Sequence, residues 1–128
     1  MTNAADMSDQ AEAVADSLLK AVEHGDIAGI SGLYDDEIRV WHNVTGTVQD
    51  KAAGLAALTA LLALAKVRYD VEFRTVVGDL VIQRHRMLID CPGKPPVSVY
   101  VAAFFRVRDS KVFEIHEYFD SDQISALT

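Results

Sequence analysis

Apolar positions along this chain repeat first with the spacing of helices and then with that of strands, and the change comes at Val67. Ala11, Val14, Ala15, Leu18, Leu19 and Val22 keep a 3.6-residue spacing, which predicts a helix with Ser8 as N-cap and His24-Gly25 as its end. His24 then lies favourably near the negative end of the helix dipole. Asp26 is placed to cap a short second helix over Ile27–Tyr34, where Gly29 and Gly32 permit close packing. Glu37–Asn43 predicts a strand, Val44-Thr45-Gly46 a turn and Thr47–Gln49 a brief second strand. Asp50 caps a third helix, from Lys51 to about Lys66, which is apolar nearly all round and so predicts a buried element roofing a cavity. Four strands follow, Arg68–Val77, Leu80–Asp90, Val97–Arg108 and Lys111–Asp120, divided by turns at Gly78-Asp79, Cys91-Pro92-Gly93-Lys94 and Asp109-Ser110. Asp120 is a cap for the tail, in which Ser121–Leu127 forms a final turn. Helices followed by an antiparallel meander make an α+β pattern: one domain over residues 8–128, preceded by a polar, disordered end at 1–7.

Side chains on a strand alternate between faces, so each strand can be sorted into two rows. In the last strand Glu117 falls in the row of Phe113, Ile115 and Phe119, which puts a carboxylate on the apolar side; Val112, Glu114, His116 and Tyr118 form the wetter row. In Glu37–Asn43 the apolar row Ile38, Val40 carries His42. In Leu80–Asp90, Arg84 and Arg86 face outward, which leaves Gln83, His85 and Met87 inside. Both rows of Val97–Arg108 are apolar, Val97, Val99, Val101, Ala103 and Phe105 against Tyr100, Ala102 and Phe104. No later helix covers the second row, so a homodimer interface through Trp41, Tyr100, Phe104 and Tyr118 is expected. One bulge would exchange these rows, and the cavity would then be lined by Trp41, Asn43, Arg84 and Arg86 and would suit an anion.

Composition narrows the partners. The 128 residues are half hydrophobic, enough for one core, and the net charge of −7 argues against nucleic acid or an anionic membrane, since neither finds clustered Lys and Arg. The apolar run Leu55–Ala65 is too short to span a bilayer, and Thr2, Asn3 and Asp6 do not open a signal peptide. The lone Cys91 has no partner for a disulfide or CxxC motif, which points to a reducing cytoplasm.

The order helix, helix, strand, helix and four-strand meander, ending in Lys111-Val112-Phe113-Glu114-Ile115-His116-Glu117-Tyr118-Phe119-Asp120, resembles the NTF2-like superfamily, particularly its SnoaL-like branch. The likeness runs from Ala11 to Leu127 and includes Tyr34-Asp35-Asp36-Glu37, Trp41-His42-Asn43 and Pro92-Gly93-Lys94. It implies a cone-shaped curved antiparallel sheet with three helices from the N-terminal half enclosing a ligand pocket, usually within a homodimer. Its members include ketosteroid isomerases, polyketide cyclases, limonene-epoxide hydrolases, scytalone dehydratases and non-catalytic binding proteins, so the fold does not fix a reaction. By ungapped counting, His42 falls where the isomerases keep their aspartate base, His85 and Gln83 near members of the epoxide hydrolase triad, and Glu117 at its second aspartate. This chain lacks that Asp-Arg-Asp triad, and Ala103 replaces the protonated aspartate of the isomerases, with Tyr34 the nearest match for their tyrosine.

A His42, His85 and Glu117 pocket remains. Histidine titrates near neutrality, and a carboxylate touching it raises its basicity, so the trio suits acid and base work on a small apolar carbonyl or cyclic compound: isomerisation, cyclisation, hydration or dehydration. His42 is the leading base, His85 an acid or orienting group, Glu117 their partner, with Gln83 or Asn43 as polar anchor and Val40, Met87, Val101, Ala103, Ile115 and Phe119 as apolar walls. The alternative is a binding or carrier module for a small hydrophobic ligand. No cofactor is expected, and no metal, although His42, His85 and Glu117 also form a two-histidine, one-carboxylate set. The plainer reading makes the histidines core residues and pairs Glu117 with Arg84, Arg86 or a loop amide.

Overall fold

Asn3, five residues ahead of Ser8, begins the first helix in the computed structural model, which describes residues 3–127. Its side-chain oxygen accepts from the Asp6 amide, so α1 (Ala4–Glu23) takes in most of the stretch expected to be disordered; residues 1 and 2 of that stretch lie outside the described residues. Ala4, Ala5 and Met7 are good helix formers, and the early cap outcompetes Ser8. Asp26 caps α2 (Ile27–Leu33) through the Gly29 amide, and a side chain at Gly29 would collide with that carboxylate. Gly32, by contrast, has open space around it and serves no close approach.

β1 (Tyr34–His42) and β2 (Val48–Gln49) precede α3 (Lys51–Leu64), whose N-cap is Asp50. The meander is β3 (Lys66–Val77), β4 (Leu80–Asp90), β5 (Val97–Arg108) and β6 (Lys111–Tyr118), followed by a 3-10 helix over Ser121–Leu127. The strand order is β2-β1-β6-β5-β4-β3, and β1 runs parallel to β6. The expected antiparallel sheet is therefore mixed, because β1 and β6 are not joined by a hairpin: the chain between them passes through β2, α3 and the other three strands. α1 lies across β3, β4 and β5, and its Ala11, Ala15 and Leu18 are buried against Val81, Val101 and Phe105 in one core.

β6 and α3 both depart from the faces read from sequence, and β1 changes register against β6 between Tyr34 and Arg39. A bulge gives β6 one extra residue, Phe113, between its pairings with Arg106 and Val107. Val112 is thereby fully buried and Phe113 is half-exposed beneath the Arg108 guanidinium, 4.4 Å from its ring centre, the reverse of the rows read from sequence. Beyond the bulge Ile115 and Glu117 face inward as expected. The second departure is α3, which is mostly exposed, with Leu64 70% exposed and only Gly54 buried. It packs by one face on β1 and α2, so its apolar character does not correspond to burial all round.

Candidate functional site

The end of β6 creates the cavity. β6 pairs with β5 only as far as Tyr118 opposite Ala102, while β5 begins at Val97, so the first turn of β5 is left without that neighbour. The 3-10 helix takes its place: the Gln123 side chain accepts from the Tyr100 amide at 2.8 Å and brings Ile124 over the gap. α3 roofs the other side through Gly54, Ala57, Leu58 and Leu61. The enclosed volume is about 240 Å³, with Val40, Met87, Val101 and Phe119 among its apolar walls. A smaller recess of about 50 Å³ adjoins it, and Tyr34, Leu58, Tyr69 and Glu117 stand in both walls.

His42 and Glu117 meet at the larger cavity. They are opposite one another in the parallel β1–β6 register, and His42 Nε2 lies 3.1 Å from Glu117 Oε1. Their side chains are 26% and 24% exposed, so the pair stands at the boundary between cavity and solvent. The hydrogen bond to Glu117 raises the His42 pKa above its ordinary value, outweighing the opposing effect of burial. With an ionised carboxylate as acceptor, Nε2 carries the proton and Nδ1 is the basic nitrogen. Asn43 fixes this register from outside the cavity: its amide donates to the Phe119 carbonyl at 3.1 Å and accepts from the Phe119 amide at 3.0 Å. It is a strap between strands and not a cavity anchor, because its hydrogen-bonding atoms are spent on the backbone.

His85 lines the recess, 1% exposed, edge-on to Tyr69 with ring centres 5.1 Å apart. Burial lowers its pKa; Glu117 opposes the shift and Arg74 adds to it. Ile115 shares the recess. Gln83 is buried behind His85 and Ala103 is sealed in the core beneath α1, so neither reaches the cavity wall. Tyr34 and Tyr69 do reach it. Burial first and the nearby Glu117 second push both phenols far above their usual range, so both remain hydroxyls. Tyr69 was missed by the sequence reading, although Val67, Tyr69 and Val71 alternate with Arg68, Asp70 and Glu72 in a row that would have placed it inward.

The outward residues are accounted for as well. Arg84 lies over the Phe73 ring and Arg86 pairs with Asp70 at 3.3 Å, so neither reaches Glu117. Trp41, Phe104 and Tyr118 cluster on the outer face, with Tyr118 5.2 Å from Trp41 and 6.0 Å from Phe104, centre to centre. Tyr100 is 55% exposed on the same strand row as Phe104. Among the described residues no group of three or more His, Cys, Asp or Glu is arranged to hold a metal ion, and no helix is long and apolar enough to cross a membrane.

The fold has known relatives. The chain resembles an LEH-like epoxide hydrolase of M. tuberculosis, with a TM-score of 0.79 and 16% identity over 91% of this chain and 86% of that one. It is equally similar to IdmH of Streptomyces antibioticus, provisionally described as a polyketide cyclase, with a TM-score of 0.78 and 20% identity over 92% and 96%. PrhC of Penicillium brasilianum gives a TM-score of 0.81 and 12% identity over 91% and 84%. At such identities the likeness is one of fold. No functionally curated protein matches the sequence. The family model described as SnoaL-like domain matches residues 15–115, most of the chain. The chain belongs to the SnoaL-like domain family.

Proposed function

We propose that this chain binds a small apolar carbonyl or cyclic compound and that the His42–Glu117 pair performs general-base chemistry on it. The observation that supports this reading is the 3.1 Å hydrogen bond between a raised-pKa imidazole and a carboxylate at the wall of a mainly apolar cavity. On a ketone, His42 Nδ1 would take a proton from the carbon beside the carbonyl. The C–H electron pair forms the new C=C bond, the carbonyl π pair moves onto oxygen, and Glu117 stabilises the imidazolium. Return of the proton to a different carbon of an unsaturated enolate is an isomerisation; attack by the deprotonated α-carbon on an internal electrophile is a cyclisation, and departure of a β-hydroxyl as water, with the proton returned by the His42 imidazolium, a dehydration. His85 is the acid or orienting group of the same site. The cavity of about 240 Å³ lies a little below the roughly 300 Å³ at which pockets for drug-sized ligands begin, so the compound has one or two rings.

Solvent-deuterium exchange tests the chemistry. Cyclohexanone and 2-decalone incubated in D₂O should exchange their α-protons faster with the protein than with buffer, by proton NMR. His42→Ala should lower the rate by about 10²–10⁴-fold while retaining binding. An unchanged rate in His42→Ala rejects the base, and binding with no exchange in the native protein favours the carrier reading, which the mainly aliphatic walls also suit.

The same reading takes the outer face as a homodimer interface, because Trp41, Tyr100, Phe104 and Tyr118 form an aromatic patch there, with Tyr100 and Tyr118 exposed. The lone thiol of Cys91 suits a reducing, cytoplasmic setting.

A further inference from the structure

β3 also carries a bulge, and it decides what stands behind His85. Val71 pairs with His85 and Phe73 with Arg84, so Glu72 is the extra residue, and the inward row passes from Val67 and Tyr69 to Arg74. Phe73, which would otherwise face the core, is 53% exposed. Arg74 is thus brought over Gln83, and its Nε donates to Gln83 Oε1 at 2.9 Å. From α1, Asp16 accepts from Arg74 Nη1 at 2.6 Å and Glu12 lies 3.8 Å away, which holds the guanidinium in place. Because arginine only donates, the Gln83 amide can be oriented in one way: oxygen toward Arg74, nitrogen toward His85. Gln83 Nε2 is 2.8 Å from His85 Nδ1.

The consequence for the imidazole follows from donor and acceptor counting. Nδ1 must accept, so the proton of the neutral ring resides on Nε2. An imidazolium would set an N–H of the ring against an N–H of the amide, which agrees in direction with the lowered pKa. His85 Nε2 is buried and makes no hydrogen bond among the described residues, and the ring lines the recess of about 50 Å³, room for one oxygen atom and its substituent carbon. Neither an arginine nor a primary amide relays protons, so the chain Asp16, Arg74, Gln83, His85 is a lock and not a proton wire.

We propose that Arg74 and Gln83 are positioning residues that hold His85 in its Nε2–H tautomer, making it a neutral donor to a carbonyl oxygen of the ligand. This assigns the two histidines opposite parts: His42 offers a lone pair and His85 an N–H. It rests on the small-molecule reading of the cavity, and it fixes the ligand's recognised group as an oxygen acceptor that enters the recess while the ring occupies the larger volume.

Long-range proton–nitrogen NMR on the ¹⁵N-histidine-labelled, ligand-free protein at neutral pH tests the lock directly. His85 should show a protonated, pyrrole-type Nε2 and an unprotonated, pyridine-type Nδ1. Gln83→Glu, which supplies an acceptor in place of the amide donor, should move the proton to Nδ1 or protonate both nitrogens. A native protein with Nδ1–H, or with both nitrogens protonated, overturns the assignment even if every variant fails to fold. The ligand half is read from the affinity for cyclohexanone relative to methylidenecyclohexane, which has the same shape without the oxygen. That ratio should fall about tenfold in His85→Phe, and an unchanged ratio overturns the donor role. Loss of deuterium exchange with the tautomer and ketone preference intact would reject the catalytic reading alone, so the two fail separately.

Discussion

Two histidines in adjoining walls have their pKa values shifted in opposite directions by what each touches. His42 hydrogen-bonds a carboxylate and its pKa rises; His85 is buried beside an amide and an arginine and its pKa falls. The linkage signs are opposite. The stability due to the His42–Glu117 contact is complete below the ordinary histidine value, about 6.5, and is lost as pH rises through the raised folded value. For His85 the contribution is present above about 6.5 and lost as pH falls through its lowered value, since the unfolded chain then takes up a proton that the folded site refuses. A base must be neutral, so exchange activity should rise with pH through the raised His42 pKa. In Glu117→Gln that rise should shift to lower pH and its plateau should drop. An unshifted profile would show that Glu117 does not set the basicity of His42.

At the scale of elements, α3 roofs the cavity and the β3 bulge brings Arg74 over Gln83. Gly54 lies where α3 crosses β1, and a Cβ there would meet Val40 Cγ2 at 3.5 Å, ordinary contact. Gly54→Ala should therefore stabilise the protein by up to about 1 kcal/mol through helix propensity while trimming the cavity, seen as a higher urea midpoint with weaker ketone binding. A lower midpoint would mean that the contact is tighter than this geometry allows. The helix caps at Asp26 and Asp50, the turns and the bounds of β4 and β5 were legible in sequence because each has a local chemical cause. So was the inward placement of His42, His85 and Glu117, which follows from alternation within unbroken stretches. The bulges at Glu72 and Phe113 were not legible, because an extra residue is a property of two paired strands and leaves no mark in one. Hence Arg74 went unremarked, Val112 and Phe113 exchanged faces, and Asn43 read as a ligand anchor when its partner is a strand end far along the chain.

For the whole molecule, one face of the mixed sheet is covered by helices and holds the site, while the other exposes aromatic rings. A second copy is the expected cover. Sedimentation at micromolar concentration should give a dimer, and Tyr100→Glu with Tyr118→Glu should give a folded monomer by circular dichroism; a native monomer would leave the patch without this role. On the covered face, ring, carbonyl and base must fit one cavity. A crystal structure of the protein with 2-decalone tests this fit most directly. The rings should lie between α3 and the sheet, with the ketone oxygen within hydrogen-bonding distance of His85 Nε2 and the adjacent carbon facing His42 Nδ1. A ketone bound with its oxygen toward Phe119 and Ile124, or one found only on the outer face, would contradict it.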